Sequence, residues 1–148
     1  MNAQRISKAI SINAPREKIW RVLTEDQYTR RWYAEFSEGT HAITDWKVGS
    51  KALFVDDSKC GLASKVVENK PPEFLSLEHQ GIVNDGIEDY ESDMAKSVKG
   101  GCENYSLTEQ DGVTRLFIEA DMAPEYFDSM SLSWDRALEL IKEFSEAA

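Results

Sequence analysis

The closing stretch PEYFDSMSLSWDRALELIKEFSEAA, Pro124 to Ala148, places Phe127, Met130, Trp134, Ala137, Ile141 and Phe144 at alternating steps of three and four. That spacing draws one apolar stripe along a helix of about seven turns at about 3.6 residues each. Glu125, Asp128, Asp135, Arg136, Glu139, Lys142, Glu143 and Glu146 fill most of the remaining circumference. Propensity alone does not hold so long a helix in place, so the stripe must lie against something broad.

The sheet that would supply that surface is written upstream. Ile6, Lys8, Ile10 and Ile12 alternate with Arg5, Ser7, Ala9 and Ser11, a period-two strand that Asn13-Ala14-Pro15 ends. Ile19, Trp20, Val22 and Leu23 predict a short amphipathic helix from Pro15 to Thr24. A second is expected from Asp26, read as its N-cap, to Trp32 or Tyr33. From Thr40 to Ala120 strands and turns follow. Ile43–Trp46 and Lys51–Val55 form a hairpin across Val48-Gly49, and Leu62–Glu68 and Phe74–His79 flank Asn69-Lys70-Pro71-Pro72. Glu103–Glu109 and Val113–Ala120 flank Gln110-Asp111-Gly112, a strong hairpin signal. Thr114, Leu116, Ile118 and Ala120 share one face of the last strand, opposite Arg115 and Glu119, so one side of the sheet is wet. Gly81–Gly101, with Asp85, Glu88, Asp89, Glu91 and Asp93, is expected to be a mobile acidic surface loop.

Composition narrows the functions. A hydrophobic share of 41% and a charged share of 30% in 148 residues describe one soluble globular domain, spanning residues 1–148. No run is long and apolar enough for a bilayer, and Met1-Asn2-Ala3-Gln4-Arg5-Ile6 contains no signal-peptide core, so no membrane insertion is expected. Cys60 and Cys102 make no disulfide framework, which predicts a cytoplasmic protein. A formal charge of −10 without a segregated basic cluster argues against nucleic acid.

The order strand, helix pair, antiparallel run and long final helix resembles the helix-grip fold of the START-like (SRPBCC) superfamily. It is most similar to the branch named after the activator of the 90-kDa heat-shock-protein ATPase. The resemblance is carried by Ile12-Asn13-Ala14-Pro15 with Ile19-Trp20 and Leu23, by Trp32 with Phe36, and by Trp46-Lys47-Val48-Gly49-Ser50. It continues through Val66-Val67-Glu68, Pro71-Pro72, Leu75, Glu103-Asn104-Tyr105-Ser106-Leu107, Gly112-Val113-Thr114-Arg115-Leu116, and Trp134 with Ala137-Leu138. It implies an α+β fold in which a curved antiparallel sheet of about seven strands wraps around the C-terminal helix. A cavity between them would bind lipid-, sterol- or polyketide-like molecules, and some members of the superfamily cyclise or dehydrate their ligands there.

Under that fold the residues expected to face the cavity are Trp32, Phe36, Trp46, Phe54, His79, Tyr105, Leu116, Met122, Tyr126, Met130 and Trp134. Aromatic rings and methionines supply shape and apolar contact, and a few polar tips fix orientation. The alternative for each is that it only fills the core. His79 follows Leu75 and Leu77 on one strand face, so a buried acid or base partnered by Tyr105 or Glu103 is a second candidate chemistry. No metal or cofactor is expected. The cysteines and histidines sit singly, and Asp56-Asp57-Ser58-Lys59-Cys60-Gly61 opens like a calcium loop but has Val67 where the closing glutamate belongs. A nucleophile elbow and an activated thiol are both absent. The function expected is therefore binding of an apolar or amphipathic small molecule, with catalysis less favoured. The rivals are a cyclase- or dehydratase-type enzyme and a protein-interaction module, the latter with a chaperone partner. The protein is expected to be a monomer or homodimer, with Tyr33 and Tyr90 as exposed aromatics for an interface.

Overall fold

In a computed structural model the description covers residues 4–147, so Met1–Ala3 of the N-terminal reading and Ala148 lie outside it. Strand β1 (Gln4–Ile12) leads to helices α1 (Arg16–Thr24) and α2 (Asp26–Tyr33), then β2 (His41–Ile43), β3 (Lys51–Val55), β4 (Gly61–Lys70) and β5 (Phe74–Asn84). The short β6 (Ile87–Asp89) and α3 (Asp93–Val98) precede β7 (Cys102–Gln110), β8 (Val113–Met122) and the long α4 (Pro124–Glu146). The strands form one eight-stranded sheet in the order β1-β8-β7-β5-β4-β3-β2, with β6 paired to β5, and every pairing is antiparallel. This is the α+β helix-grip architecture: a curved sheet closed on one face by α4 and the α1–α2 pair. No helix of the described residues is long and apolar enough to cross a membrane.

Alternation builds the dry face. Ile6 and Ile12 of β1, Leu75 and Leu77 of β5, Tyr105 and Leu107 of β7, and Leu116, Ile118 and Ala120 of β8 are buried in one cluster. The opposite face carries Arg5, which holds Asp121 and Glu119, and a Ser76–Asn104 side-chain hydrogen bond. Lys8 falls on the inward parity of β1 and reaches Asp135 of α4 at 2.7 Å, which gives its ammonium a partner beside the helix. At the turn between β7 and β8, Asp111 and Gly112 both have positive φ (55° and 79°), the geometry that the Asp-Gly signal demands of a tight hairpin.

Several expectations need correction. Asp26 is the first helical residue of α2; Glu25 is the N-cap, and its side chain caps nothing. The first hairpin strand is His41–Ile43, because Trp46 turns to φ 63° and leaves the ladder. Gly81–Gly101 is no structureless loop. β5 runs on to Asn84, Asp85 and Gly86 (φ 52° and 80°) turn it into β6, and α3 follows, with Ser92 accepting a hydrogen bond from the Ala95 amide as its N-cap. A side chain at Gly81 would collide with the Asp89 backbone and the Tyr90 ring, so the insertion lies close against β5. Tyr33 is buried at 7% exposure, whereas Tyr90 is exposed.

The stripe of α4 is buried only along its later half. No residue from Pro124 to Leu132 is buried, and Phe127 and Met130 are half-exposed; burial begins at Ser133 and Trp134 and continues through Ala137, Leu138, Ile141 and Phe144. We expect Trp134→Ala to cost about 3–5 kcal/mol in urea unfolding, because it leaves a large void against three other rings. Leu132→Ala, on the solvent side of the same helix, should stay within about 0.5 kcal/mol of wild type. Equal losses in the two variants would contradict this placement of the helix.

Candidate functional site

Seven rings link α2, the sheet and α4 in an unbroken chain: Trp46, Phe54, Tyr33, Trp32, Tyr105, Trp134 and Phe36. Trp32 meets Tyr33 edge-on at 4.5 Å between centroids, and Phe36 meets Trp134 at 4.9 Å. Trp134 also packs on Trp32 at 6.1 Å and on Tyr105 at 6.0 Å. Around Trp134 the space between sheet and helix is thus occupied by rings. Towards the start of α4 the half-buried Met122, Phe127 and Met130 pack against this core.

Two of these rings are pinned by their polar tips. The Trp32 indole donates to the Val22 carbonyl at 2.9 Å, tying α2 to α1. Trp46 is held in a left-handed backbone conformation that bulky residues rarely adopt. Its indole donates to the Thr24 carbonyl, its amide to Thr44 Oγ1, and its carbonyl accepts from Asn69. Three hydrogen bonds fixing one strained residue place its ring against Phe54 at 6.4 Å.

The polar centre of the region is Glu103. Strand alternation puts it on the same inward face as Tyr105 and Leu107, in register between Leu77 of β5 and Ala120 of β8. The Tyr105 hydroxyl donates to Glu103 Oε2 at 3.0 Å. Burial pushes the carboxyl up to about 7, and the tyrosine hydrogen bond only partly opposes it. No lysine or arginine of the described residues pairs with it. Burial likewise raises Tyr33 and Tyr105, and the nearby Glu103 charge adds to both.

His79 is buried on β5, but it belongs to a different network. Its Nδ1 lies 2.8 Å from Ser64 Oγ, and its backbone is bonded to Gly100 and Gly101. Burial lowers it to about 4, so it stays neutral at ordinary pH. It shares no side-chain hydrogen bond with Tyr105 or Glu103, the partners that the enzyme reading gave it. Of the other expected residues, Leu116 is fully buried deep in the core beside Leu107 and Ile10, while Tyr126 stands 49% exposed, apart from the ring chain. Asp56, the first residue of the calcium-like stretch, spends its oxygens on Ser37, Ser58 and Cys60, which depresses it to about 2 and closes a turn.

Tyr33, expected as an exposed interface aromatic, and Glu103, expected as a partner of His79, both lie at the ring chain. Thr29, Trp32, Tyr33 and Phe36 follow the i, i+3, i+4, i+7 pattern, which was the available signal for a buried Tyr33. For Glu103 the signal was a carboxylate two residues before an inward tyrosine on one strand face.

The family described as Activator of Hsp90 ATPase homolog 1-like protein matches residues 13–146. No curated protein matches the chain. Among solved structures, the Aha1 dimer from Colwellia psychrerythraea is similar at TM-score 0.73 and 20% identity, over 97% of this chain and 96% of that one. Protein MLL2253 from Mesorhizobium loti reaches 0.72 at 17% identity, over 95% and 96%. CalU16 from Micromonospora echinospora reaches 0.68 at 16%, over 97% and 77%. At such identities the likeness shows the fold.

The raised Glu103 carboxyl predicts a pH signature in stability. Below its ordinary value of 4.5 the group is protonated in folded and unfolded chains alike. As pH rises towards about 7 the unfolded chain ionises first, so the folded state loses ground, and the loss is complete above about 7. Glu103→Gln removes this contribution, so its stability relative to wild type should rise by about 3 kcal/mol between acid and mildly alkaline pH. His79, with the opposite sign, weakens the fold as pH falls from 6.5 to about 4, but it does so in both proteins and cancels in the difference. Parallel stability curves for the two proteins would contradict the buried carboxyl.

Proposed function

The chain belongs to the family of Activator of Hsp90 ATPase homolog 1-like proteins, within the START-like superfamily, and from that premise we propose that it binds a small apolar or amphipathic molecule between the sheet and α4. The observation that carries this reading is the asymmetry of α4. Its second half is locked into the core, while none of its first nine residues is buried; of these Phe127 and Met130, together with Met122 just before the helix, are only partly buried against the core that holds the ring chain. An apolar ligand entering there would gain contact with rings and flexible methionines and would meet one polar pair, Glu103 and Tyr105, to orient it. Trp32, Phe36, Trp46, Phe54, Tyr105, Met122, Met130 and Trp134 serve as the lining in this reading, and Tyr33 joins them. His79, Leu116 and Tyr126 stand outside it. With two free cysteines and no disulfide, the protein would work in the cytoplasm.

The enzyme reading retains one supporting observation. A carboxylic acid held protonated near neutrality is a competent proton donor, and Glu103 with Tyr105 would take that role without His79.

An NMR titration that follows backbone amides and tryptophan indoles tests binding, with sterols, fatty alcohols and flavonoid-like aromatics as ligands. We expect shifts to cluster on Trp32, Tyr33, Glu103, Tyr105 and residues 122–134, and Phe36→Ala to change affinity by at least about threefold. Shifts confined to the outer face, or none at millimolar ligand, would overturn the proposal.

A further inference from the structure

The ligand-binding reading leaves open what charge the ligand carries, and the groups around Glu103 bear on that. One carboxylate oxygen, Oε2, is engaged by Tyr105. The other accepts no hydrogen bond from the described residues, and it is not among the sealed, unpartnered atoms, so it remains reachable. The Tyr33 hydroxyl is in the same situation. The lysines and arginines of the described residues whose side chains are paired with acids all pair elsewhere, among them Lys8 with Asp135, Arg136 with Glu35, and Arg5 with Asp121 and Glu119.

A half-buried carboxylate left without a counter-charge is costly, and the described residues supply no cation that pairs with it. Tyr105, whose hydroxyl holds Glu103, belongs to a buried ring cluster with Trp32, Tyr33 and Trp134 that fills its own space. The unengaged carboxylate oxygen attracts a positive charge that has shed its water. An anionic head in the same place would meet Glu103 with no lysine or arginine to hold it. The formal charge of −10 works in the same direction at long range, drawing cations towards the protein.

Resting on the ligand-binding proposal above, we infer that the groove selects an organic cation, an amine or quaternary ammonium on an apolar body, with Glu103 as its counter-ion, Tyr105 beside that carboxylate, and Met122, Phe127 and Met130 against its apolar body. Fatty acids and other anionic amphiphiles are then the wrong class, and neutral molecules of the same shape bind by their apolar part alone.

The test uses three probes with one body: naphthylmethyl-trimethylammonium, naphthylmethanol and naphthylacetate. Each is titrated by calorimetry into the full chain and into Glu103→Gln at mildly alkaline pH, after the variant's amide spectrum has confirmed its fold. The ammonium should bind about tenfold more tightly than the alcohol and the acetate less tightly than either. Glu103→Gln should erase most of the ammonium's advantage and leave the alcohol within about twofold of wild type. An ammonium that binds no better than the alcohol, or whose advantage survives Glu103→Gln, overturns the inference while the ligand-binding reading stands. Failure of all three probes to bind the wild-type chain overturns both. Should Glu103→Gln not fold, the wild-type pH profile decides. The titratable groups facing Glu103 are Tyr33 and Tyr105, both raised and neutral at ordinary pH. The ammonium's advantage should therefore grow as pH rises through about 7, and a flat profile would overturn the inference.

Discussion

Trp134 is the contact on which the arrangement turns. Rings from α2 (Trp32), from the segment after α2 (Phe36) and from β7 (Tyr105) all pack on it. Because these belong to separate stretches of chain, the one indole fixes the helix pair, the sheet and α4 relative to one another. It also marks the boundary within α4. Towards the C-terminus, Ala137, Leu138, Ile141 and Phe144 are buried, and Lys142 and Glu146 tie the last turns to Ser11 and Asn13. Towards the N-terminus the helix loses its burial. The fold's grip is therefore one-sided.

The interior polar groups set the conditions under which that grip is firm. Glu103 favours its protonated form and His79 its neutral form, each because burial penalises charge. Their effects on stability run in opposite directions: His79 weakens the fold on the acid side and Glu103 towards alkaline pH. The two groups are also wired differently. His79 has its hydroxyl partner in Ser64 and closes on itself, whereas Glu103 has a free oxygen and faces the aromatic chain. A satisfied buried histidine is a structural device; a half-satisfied buried carboxyl leaves a position for something else to fill.

Most of the architecture was legible in the sequence because two periodicities dominate it. The two-residue alternation of β1 and β8 and the three-four spacing of α4 survive in the structure almost residue for residue. The insertion was not legible, although Asp85-Gly86 bears the same turn signal as Asp111-Gly112. β6 has three residues and α3 buries only Ala95, so neither element shows a period long enough to read. The site was legible in part. Six of the expected residues, Trp32, Phe36, Trp46, Phe54, Tyr105 and Trp134, do come together in the ring chain, since aromatic residues of this size must pack somewhere within so small a core. Tyr126 does not join them, because it lies off the Phe127–Met130–Trp134 stripe and stands exposed on α4. Glu103 was undervalued for a physical reason: a carboxylate on an alternating strand reads as solvent-facing unless parity is counted from its tyrosine neighbour.

The most direct test of the account is residue-resolved amide hydrogen exchange along α4. One-sided anchoring predicts that amides from Ala137 to Phe144 exchange only with the slowest core amides of β7 and β8, while those from Asp128 to Leu132 open locally and exchange orders of magnitude faster. Uniform protection along the whole helix would mean that its first half is as firmly held as its second, and the groove on which the functional reading depends would not exist.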